Sequence, residues 1–218
     1  MEKPKIKAAG IRSLTDARYF SAWNADWLSF AGGDVTGALQ PEEISAIIEW
    51  VEGPHAVIEF GMDGAEAILD SATRAGVQGI QVGQFFPVSD LAALGSFTIF
   101  QEYVIEPDLT PETLEQFLEE RDDLVDYYVF DFSKNALSWS IVGSGGIYPD
   151  IPTLQKICGS RAIFLDMPLT SGELRSMIEN LHPWGLNIKG GDEEKVGFKS
   201  FADLDDIMEV LEEITQGS

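Results

Sequence analysis

Short apolar runs alternate with amphipathic helical patterns along this chain, and residues 161–191 hold the clearest example. An apolar run at 162–165 predicts a strand buried on both faces. Apolar residues at three- and four-residue spacing then predict one buried face of a helix over 171–181. These residues are Leu174, Met177, Ile178 and Leu181. A second strand is predicted at 184–189, and functional groups gather at the carboxyl ends of parallel strands joined in this way.

The same alternation recurs from the first residues to the last. The predicted strands are 5–9, 27–31, 56–60, 77–82, 97–104, 126–130, 162–165 and 184–189. The predicted helices are 13–25, 40–51, 65–75, 89–94, 110–120, 151–157, 171–181 and 202–214. Eight strands alternating with helices favour an α/β fold, a closed (β/α)₈ TIM barrel, over an open doubly wound sheet. No linker divides the chain, so one domain is predicted over 1–218.

Composition limits the function classes. A formal net charge of −23 repels polyanions, so neither nucleic acid nor an anionic membrane surface is an expected partner. The apolar runs are far shorter than the roughly 20 residues of a membrane span, and a cytoplasmic location is expected. The single cysteine, Cys158, excludes an internal disulfide and a thiolate metal cluster. Because no Gly-x-Gly-x-x-Gly turn follows the first strand, no dinucleotide cofactor is expected.

Two stretches resemble the phosphoribosylanthranilate isomerase family, the TIM barrel of tryptophan biosynthesis. The first is 7–17, KAAGIRSLTDA, and the second is 161–191. The matching residues are Gly10, Ile11, Arg12, Asp16, Ala17, Ala25, Asp26, Leu165, Leu169, Arg175, Ser176, Pro183 and Gly191. Asp131 ends the sixth strand where the family keeps its catalytic acid. The resemblance implies an intramolecular isomerase that works by general acid and base catalysis at the mouth of the barrel.

The sequence departs from the family where the chemistry is done. Ala9 stands at the position of the basic cysteine, and a methyl group accepts no proton. The histidine of the family's Gln-Leu-His-Gly is absent from 81–84, Gln-Val-Gly-Gln, and no arginine lies between Arg18 and Arg74. The phosphate-binding Ser-Gly-Gly becomes 166–168, Asp-Met-Pro, which puts a carboxylate where a phosphate would bind. The family's Ser-Ser-Gly becomes 189–191, Lys-Gly-Gly, which adds a cation.

Alternation from Ala9 and Asp131, the inward positions of the family, predicts which side chains line the barrel mouth. They are Lys7, Glu59, Gln81, Glu102, Asp131, Asp166, Asn187 and Lys189. We expect Asp131 and Lys7 to be catalytic, with Lys7 beside Asp131. The expected substrate-binding residues are Arg12, Gln81, Asp166, Asn187, Lys189, Gly190 and Gly191.

Two other interpretations of these side chains remain open. Lys7 with Asp131 and Lys189 with Asp166 can be ion pairs that only pack the rim. Glu59, Glu102, Asp131 and Asp166 can instead hold a divalent cation such as Mg²⁺. Our expectation is that no metal is bound.

Three hypotheses for the function follow. The first is a diverged barrel that binds or converts a small polar metabolite, either phosphorylated or not. The second is an inactive relative that serves as a binding or assembly module, for example as a homodimer. The third is a genuine phosphoribosylanthranilate isomerase with another base, such as Glu59 or Asp166.

Overall fold

The computed structural model describes residues 3–190, 193–195, 198–199 and 202–216. Eight parallel strands, β1 to β8 in chain order, close into one barrel. They are Lys5–Ala9, Trp27–Ala31, His55–Glu59, Gly79–Val82, Thr98–Val104, Tyr127–Asp131, Ile163–Asp166 and Gly185–Lys189. Strand β8 pairs with β1 over all five residues of each, from Lys5↔Gly185 to Ala9↔Lys189. The predicted (β/α)₈ barrel is therefore confirmed.

Helices connect the strands. Those from α1 to α9 are Leu14–Ala22, Pro41–Ile48, Ala65–Ala75, Val88–Leu91, Pro111–Glu119, Trp139–Gly143, Ile151–Ser160, Ser171–Leu181 and Ala202–Gln216. Short 3₁₀ turns cover Ala92–Leu94 and Ser133–Asn135. Two short strands, β9 (Glu193–Lys195) and β10 (Phe198–Lys199), pair antiparallel. Helix α6 and the pair β9–β10 were not predicted from the sequence. No helix within the described ranges is long and apolar enough to cross a membrane.

Local sequence explains where the helices begin and end. Ser13 caps α1 in a reciprocal capping box with Asp16. Proline occupies the first turn of α2 and α5, where its missing N–H costs no hydrogen bond. Gly76 ends α3 with φ +70°, a left-handed conformation that glycine adopts without strain. These signals explain why these helix boundaries agree with the prediction from the sequence.

The apolar core has two parts. The larger part fills the layer between the barrel and its helices. The smaller part plugs the inside of the barrel with Trp27, Val57, Phe100, Val129 and Phe164. The Trp27 and Phe100 rings meet edge to face with 5.0 Å between their centroids, a favoured aromatic geometry. This plug fills the lower part of the barrel, below the carboxyl ends of the strands, where functional groups of TIM barrels gather.

Candidate functional site

Polar side chains stand directly above the aromatic plug on the inner face of the barrel. They come from the carboxyl ends of the strands, where alternation turns every second residue inward. A cavity of about 450 Å³ opens there. Five of the nine candidate site residues line it, namely Gln81, Asp131, Asp166, Asn187 and Lys189. Glu59 and Glu102 line it as well, as alternation predicts.

Lys7 lies below this cavity and is completely buried. Its ammonium group donates to Glu59 Oε1 at 2.7 Å and to Asn187 Oδ1 at 2.9 Å, and it faces the Phe100 ring at 5.9 Å from the centroid. The expected pair of Lys7 with Asp131 is therefore wrong, because Glu59 on β3 takes that place. Ser29 also donates to Glu59 Oε1, at 2.6 Å. Burial raises the pKa of Glu59, but the charge and hydrogen bond of Lys7 outweigh burial and leave that pKa below its ordinary value.

Asp166 is the most heavily bonded carboxylate of the mouth. Its Oδ2 accepts from Asn187 Nδ2 at 2.8 Å and lies 2.8 Å from the Lys189 ammonium. Its Oδ1 accepts from the Ser133 hydroxyl at 2.5 Å. The expected ion pair of Lys189 with Asp166 is confirmed. Burial lowers the pKa of Lys189, but the charges of Asp166 and Asp131 outweigh burial and hold that pKa above its ordinary value.

Asp131 and Glu102 form the other side of the mouth, around Lys134. Asp131 is almost fully buried and accepts from the Lys134 backbone N–H at 2.9 Å. The Lys134 ammonium donates to Glu102 Oε2 at 2.7 Å and lies 3.6 Å from Asp131 Oδ2. Burial raises the pKa of Glu102, and the negative charges of Asp131 and Glu59 add to the rise, while Lys134 opposes it. Two carboxyl groups with different surroundings thus share one lysine.

Gln81 is a buried polar side chain of the mouth whose carboxamide oxygen is unpaired among the described residues. It is 5% exposed, lines the cavity from β4, and its Oε1 has no hydrogen-bond partner among the described residues. A buried amide oxygen without a partner costs about 1–3 kcal/mol. A ligand with an N–H or O–H group would remove this cost on binding.

The other predicted site residues lie elsewhere. Arg12 is exposed, and its guanidinium group packs beside Gly37 in the loop after β2. The backbone N–H of Gly190 donates to the Ala9 carbonyl at 3.1 Å. Gly191 lies outside the described residues. These positions add no side chain to the cavity that the structure describes.

Sequence reasoning missed three contributors: Ser29, Ser133 and Lys134. Ser133 and Lys134 lie in the turn after β6, past the end of the strand, where alternation no longer predicts direction. A lysine three residues after a strand-terminal aspartate was the available signal for Lys134. Ser29 was visible as an inward position of β2, two residues from Trp27 on the same face.

The carboxylates of the mouth are not arranged as a metal site. Within the described part of the chain, no group of three or more His, Cys, Asp or Glu side chains is placed to hold a metal ion. Lysines occupy the positions between the carboxylates instead, since Lys7 lies against Glu59, Lys134 against Glu102, and Lys189 against Asp166. These lysine contacts favour the interpretation of the mouth charges as ion pairs over that of a divalent cation site.

Comparison with known proteins places the fold. Neither a protein-family model nor a curated protein sequence matches the chain. Solved structures do match it. Phosphoribosylanthranilate isomerase from Thermus thermophilus is 21% identical with a TM-score of 0.74, and the match covers 96% of this chain and 99% of that one. The isomerase from Thermotoga maritima is 19% identical with a TM-score of 0.75, over 96% and 98%.

A third solved structure, 3-hexulose-6-phosphate synthase, is 13% identical with a TM-score of 0.65, over 94% of this chain and 99% of that one. The chain thus has the fold of the phosphoribosylanthranilate isomerases, which the resemblance implied. At these identities the likeness extends to the fold alone.

Proposed function

We propose that this protein binds a small polar metabolite at the barrel mouth and isomerises it by proton transfer. The observation that carries the proposal is the Gln81 carboxamide, which is buried, lines the cavity and has no partner for Oε1 among the described residues. Buried polar groups of folded proteins are nearly always hydrogen-bonded. Among the described residues, four buried side-chain atoms lack a partner, Ser21 Oγ, Gln81 Oε1, Gln101 Oε1 and Arg121 Nε, and of these residues Gln81 is the one that lines the mouth cavity. A ligand that donates to Gln81 Oε1 would satisfy it.

Proton transfer is supported by the two carboxyl groups around Lys134. The raised pKa of Glu102 keeps its proton to a higher pH than an ordinary glutamate does, as a general acid requires. Asp131, held by the Lys134 backbone N–H, is the acceptor on the neighbouring strand. Asp131 takes a proton from one atom of the metabolite and Glu102 delivers one to another atom, which isomerises the metabolite. Asp131 then releases its proton to water and Glu102 takes one up from water, so that both groups return to their starting state.

The proposed reaction differs from that of the family. The resemblance assigns the basic cysteine to the position of Ala9, whose buried methyl group neither takes nor gives a proton. Lys7 is a positioning residue in this proposal, because it holds Glu59 and Asn187 from below the cavity.

Binding without turnover is the second candidate function. The specific observation that favours it is the mutual pairing of the charges, since Lys189 is bonded to Asp166 and Lys134 to Glu102. Charges satisfied in this way stabilise a rim without any chemistry. Turnover therefore has to be measured separately from binding.

Binding is tested by thermal unfolding in the presence of polyols, amino acids, carboxylates and sugar phosphates. A true ligand at about one hundred times its Kd should raise Tm by roughly 5–10 °C. The Gln81→Met variant should bind it about five- to tenfold more weakly. Gln116→Met, on the exposed face of α5, is the matched control and should bind normally. A panel without any stabilising compound would contradict the proposal.

Turnover is tested by incubating each binder with the protein in D₂O and recording proton NMR spectra. Isomerisation through Asp131 should exchange a carbon-bound proton of the binder for deuterium, and Asp131→Asn should abolish the exchange. Binding without exchange would favour the second candidate. Complementation of a tryptophan auxotroph that lacks the isomerase should fail, and growth would favour the ordinary family reaction instead.

A further inference from the structure

A second cavity, of about 250 Å³, lies beside the mouth between the ends of β7 and β8 and helices α8 and α9. The apolar residues that line it in the described part of the chain are Leu165, Met167, Pro168, Leu169, Leu174, Leu186, Ile188, Leu204 and Ile207. An apolar cavity of roughly 150 Å³ is already large enough to bind benzene. This side cavity therefore has room for a phenyl ring or a branched alkyl group.

The side cavity adjoins the mouth. Asp166, Asn187 and Lys189 line both cavities. The three side chains bond to one another, through Asn187 Nδ2 and the Lys189 ammonium to Asp166 Oδ2. The boundary between the two cavities is thus a set of already paired polar groups, beyond which the lining becomes apolar.

Neither the loop after β7 nor the start of α8 is suited to an anion. Pro168 lacks a backbone N–H, and Met167 and Leu169 beside it line the side cavity with apolar atoms. Glu173 Oε2 accepts from the Thr170 backbone N–H at 3.0 Å and from its hydroxyl at 2.9 Å. The α8 N-terminus, which would otherwise attract an anion, is therefore occupied by the chain's own carboxylate.

The charges of the mouth also disfavour an anionic ligand. Among the residues that the structure describes, five acidic side chains line the mouth cavity, those of Glu59, Glu102, Glu106, Asp131 and Asp166. Two lysines line it, Lys134 and Lys189, and Lys7 lies beneath. Even with Glu102 protonated as the proposed general acid, carboxylates outnumber ammonium groups in this described set, which disfavours a phosphorylated ligand and favours a neutral or cationic one.

We infer that the metabolite of the mouth is not phosphorylated, that its polar part is neutral or cationic, and that it carries a compact apolar group that enters the side cavity. This inference rests on the proposed function, because it names the class of ligand that the same mouth takes. The polar part lies over the mouth carboxylates and Gln81. The apolar group passes Asp166, Asn187 and Lys189 into the space between α8 and α9.

Benzylamine, methylamine and inorganic phosphate are the probes that test it. Benzylamine carries a ring and an ammonium group, and it should bind at least about tenfold more tightly than methylamine by calorimetry. Inorganic phosphate should give no heat of binding at the mouth. Binding of phosphate with an affinity equal to that of benzylamine would overturn the inference.

Two variants that fill the side cavity locate the binding. Ile207→Trp on α9 and Leu169→Trp in the loop before α8 both place an indole in the cavity lining. Each should weaken benzylamine binding about tenfold or more. Val210→Trp is the matched control, since Val210 is partly buried on the same helix but does not line the cavity. The loop variant keeps the test valid if Ile207→Trp does not fold.

Failure of the inference is distinguishable from failure of the proposed function. If Gln81→Met weakens the binding of a metabolite and both tryptophan variants bind it normally, the inference is overturned. The proposed function would still stand. Benzylamine binding that both tryptophan variants weaken supports the side cavity as its site. That result supports the inference even if no metabolite is found whose binding depends on Gln81.

Discussion

The ammonium group of Lys7 donates to Glu59 Oε1 at 2.7 Å, and the two side chains differ greatly in exposure. Lys7 has no solvent-accessible surface, whereas the Glu59 side chain is 25% exposed. Removing one partner of a buried pair leaves the other as an uncompensated charge. The loss should be more costly when the charge left behind is the fully buried one.

Glu59→Met should therefore destabilise the protein more than Lys7→Met. We expect about 3–5 kcal/mol for Glu59→Met, because the Lys7 ammonium stays in the barrel with Asn187 as its bonded neighbour. Lys7→Met leaves a glutamate that water can still reach. The double variant should lose less free energy of unfolding than the sum of the two single losses, by about 1 kcal/mol or more.

Urea unfolding of the three variants measures these losses. Lys5→Met is the control, because Lys5 lies two residues earlier on β1 and pairs with Asp26 at the surface, where a pair contributes about 0–1 kcal/mol. Equal losses for Glu59→Met and Lys7→Met, or strict additivity in the double variant, would contradict the explanation.

Glu102 and Glu59 should give opposite pH dependence. The pKa of Glu102 is raised in the folded state, chiefly by burial, so its contribution to stability is complete below the ordinary value of 4.5 and is lost as the pH rises through the raised pKa. Glu102→Gln does not titrate. Its free energy of unfolding relative to the unmodified protein should therefore increase as the pH rises from 4 to 7.

Glu59→Gln provides the contrast. Burial raises the pKa of Glu59, but Lys7 outweighs burial and lowers it, so the stabilisation from Glu59 is present above pH 4.5 and is lost as the pH falls through the lowered pKa. Relative to the unmodified protein, Glu59→Gln should thus lose stability as the pH rises through this acidic range. Slopes of the same sign for both variants, in urea titrations at several pH values, would show that the two environments do not differ.

Periodicity predicted the barrel because it reports which face of each element is buried. The predicted inward set at the mouth is one example, since seven of its eight members line the cavity and Lys7 lies beneath them. The partner of Lys7 was not predictable in this way. Strand pairing sets Lys7 opposite Asn187, and the strand tilt of the barrel brings Glu59 from β3 into reach.

The contacts made by the turns after the strands were also not predicted from the sequence. Ser133 and Lys134 reach Asp166 and Glu102 from a 3₁₀ turn whose direction no hydrophobic period encodes. Helix α6, of five residues, is too short for a helical period to be recognised.

Asn187 lies between the charges of Lys7 and Asp166, and the stability of an Asn187→Asp variant should depend on pH. Its Oδ1 accepts from Lys7, while its Nδ2 donates to Asp166 Oδ2 at 2.8 Å. Asn187→Asp places a carboxylate oxygen against that of Asp166. One of the two should then keep its proton, and the protein should be about 1–3 kcal/mol less stable at pH 7.

The loss in Asn187→Asp should shrink at low pH. A shared proton raises the folded-state pKa of the pair, so the stability is restored below the unfolded value of about 3.9 and is lost as the pH rises. Asn187→Leu is the matched control, since leucine does not titrate and its loss should change little between pH 4 and pH 7. Parallel pH profiles for the two variants, measured by urea unfolding, would contradict this account.

Gly185 begins β8 inside the barrel plug, and a side chain there has no room. A Cβ added to Gly185 would lie 2.3 Å from a Phe164 ring carbon and 2.8 Å from the Lys5 carbonyl oxygen. The ring belongs to a packed cluster and the carbonyl to a strand, so neither moves easily. Gly185→Ala should therefore lower the free energy of unfolding by about 1–3 kcal/mol.

Gly159→Ala is the control, because Gly159 lies in helix α7 with no atom within 4 Å of an added Cβ. There the same substitution should stabilise the protein by roughly 0.5–1 kcal/mol through the helix propensity of alanine. Thermal unfolding of both variants should thus shift Tm in opposite directions, and a stabilising Gly185→Ala would show that the plug is loosely packed.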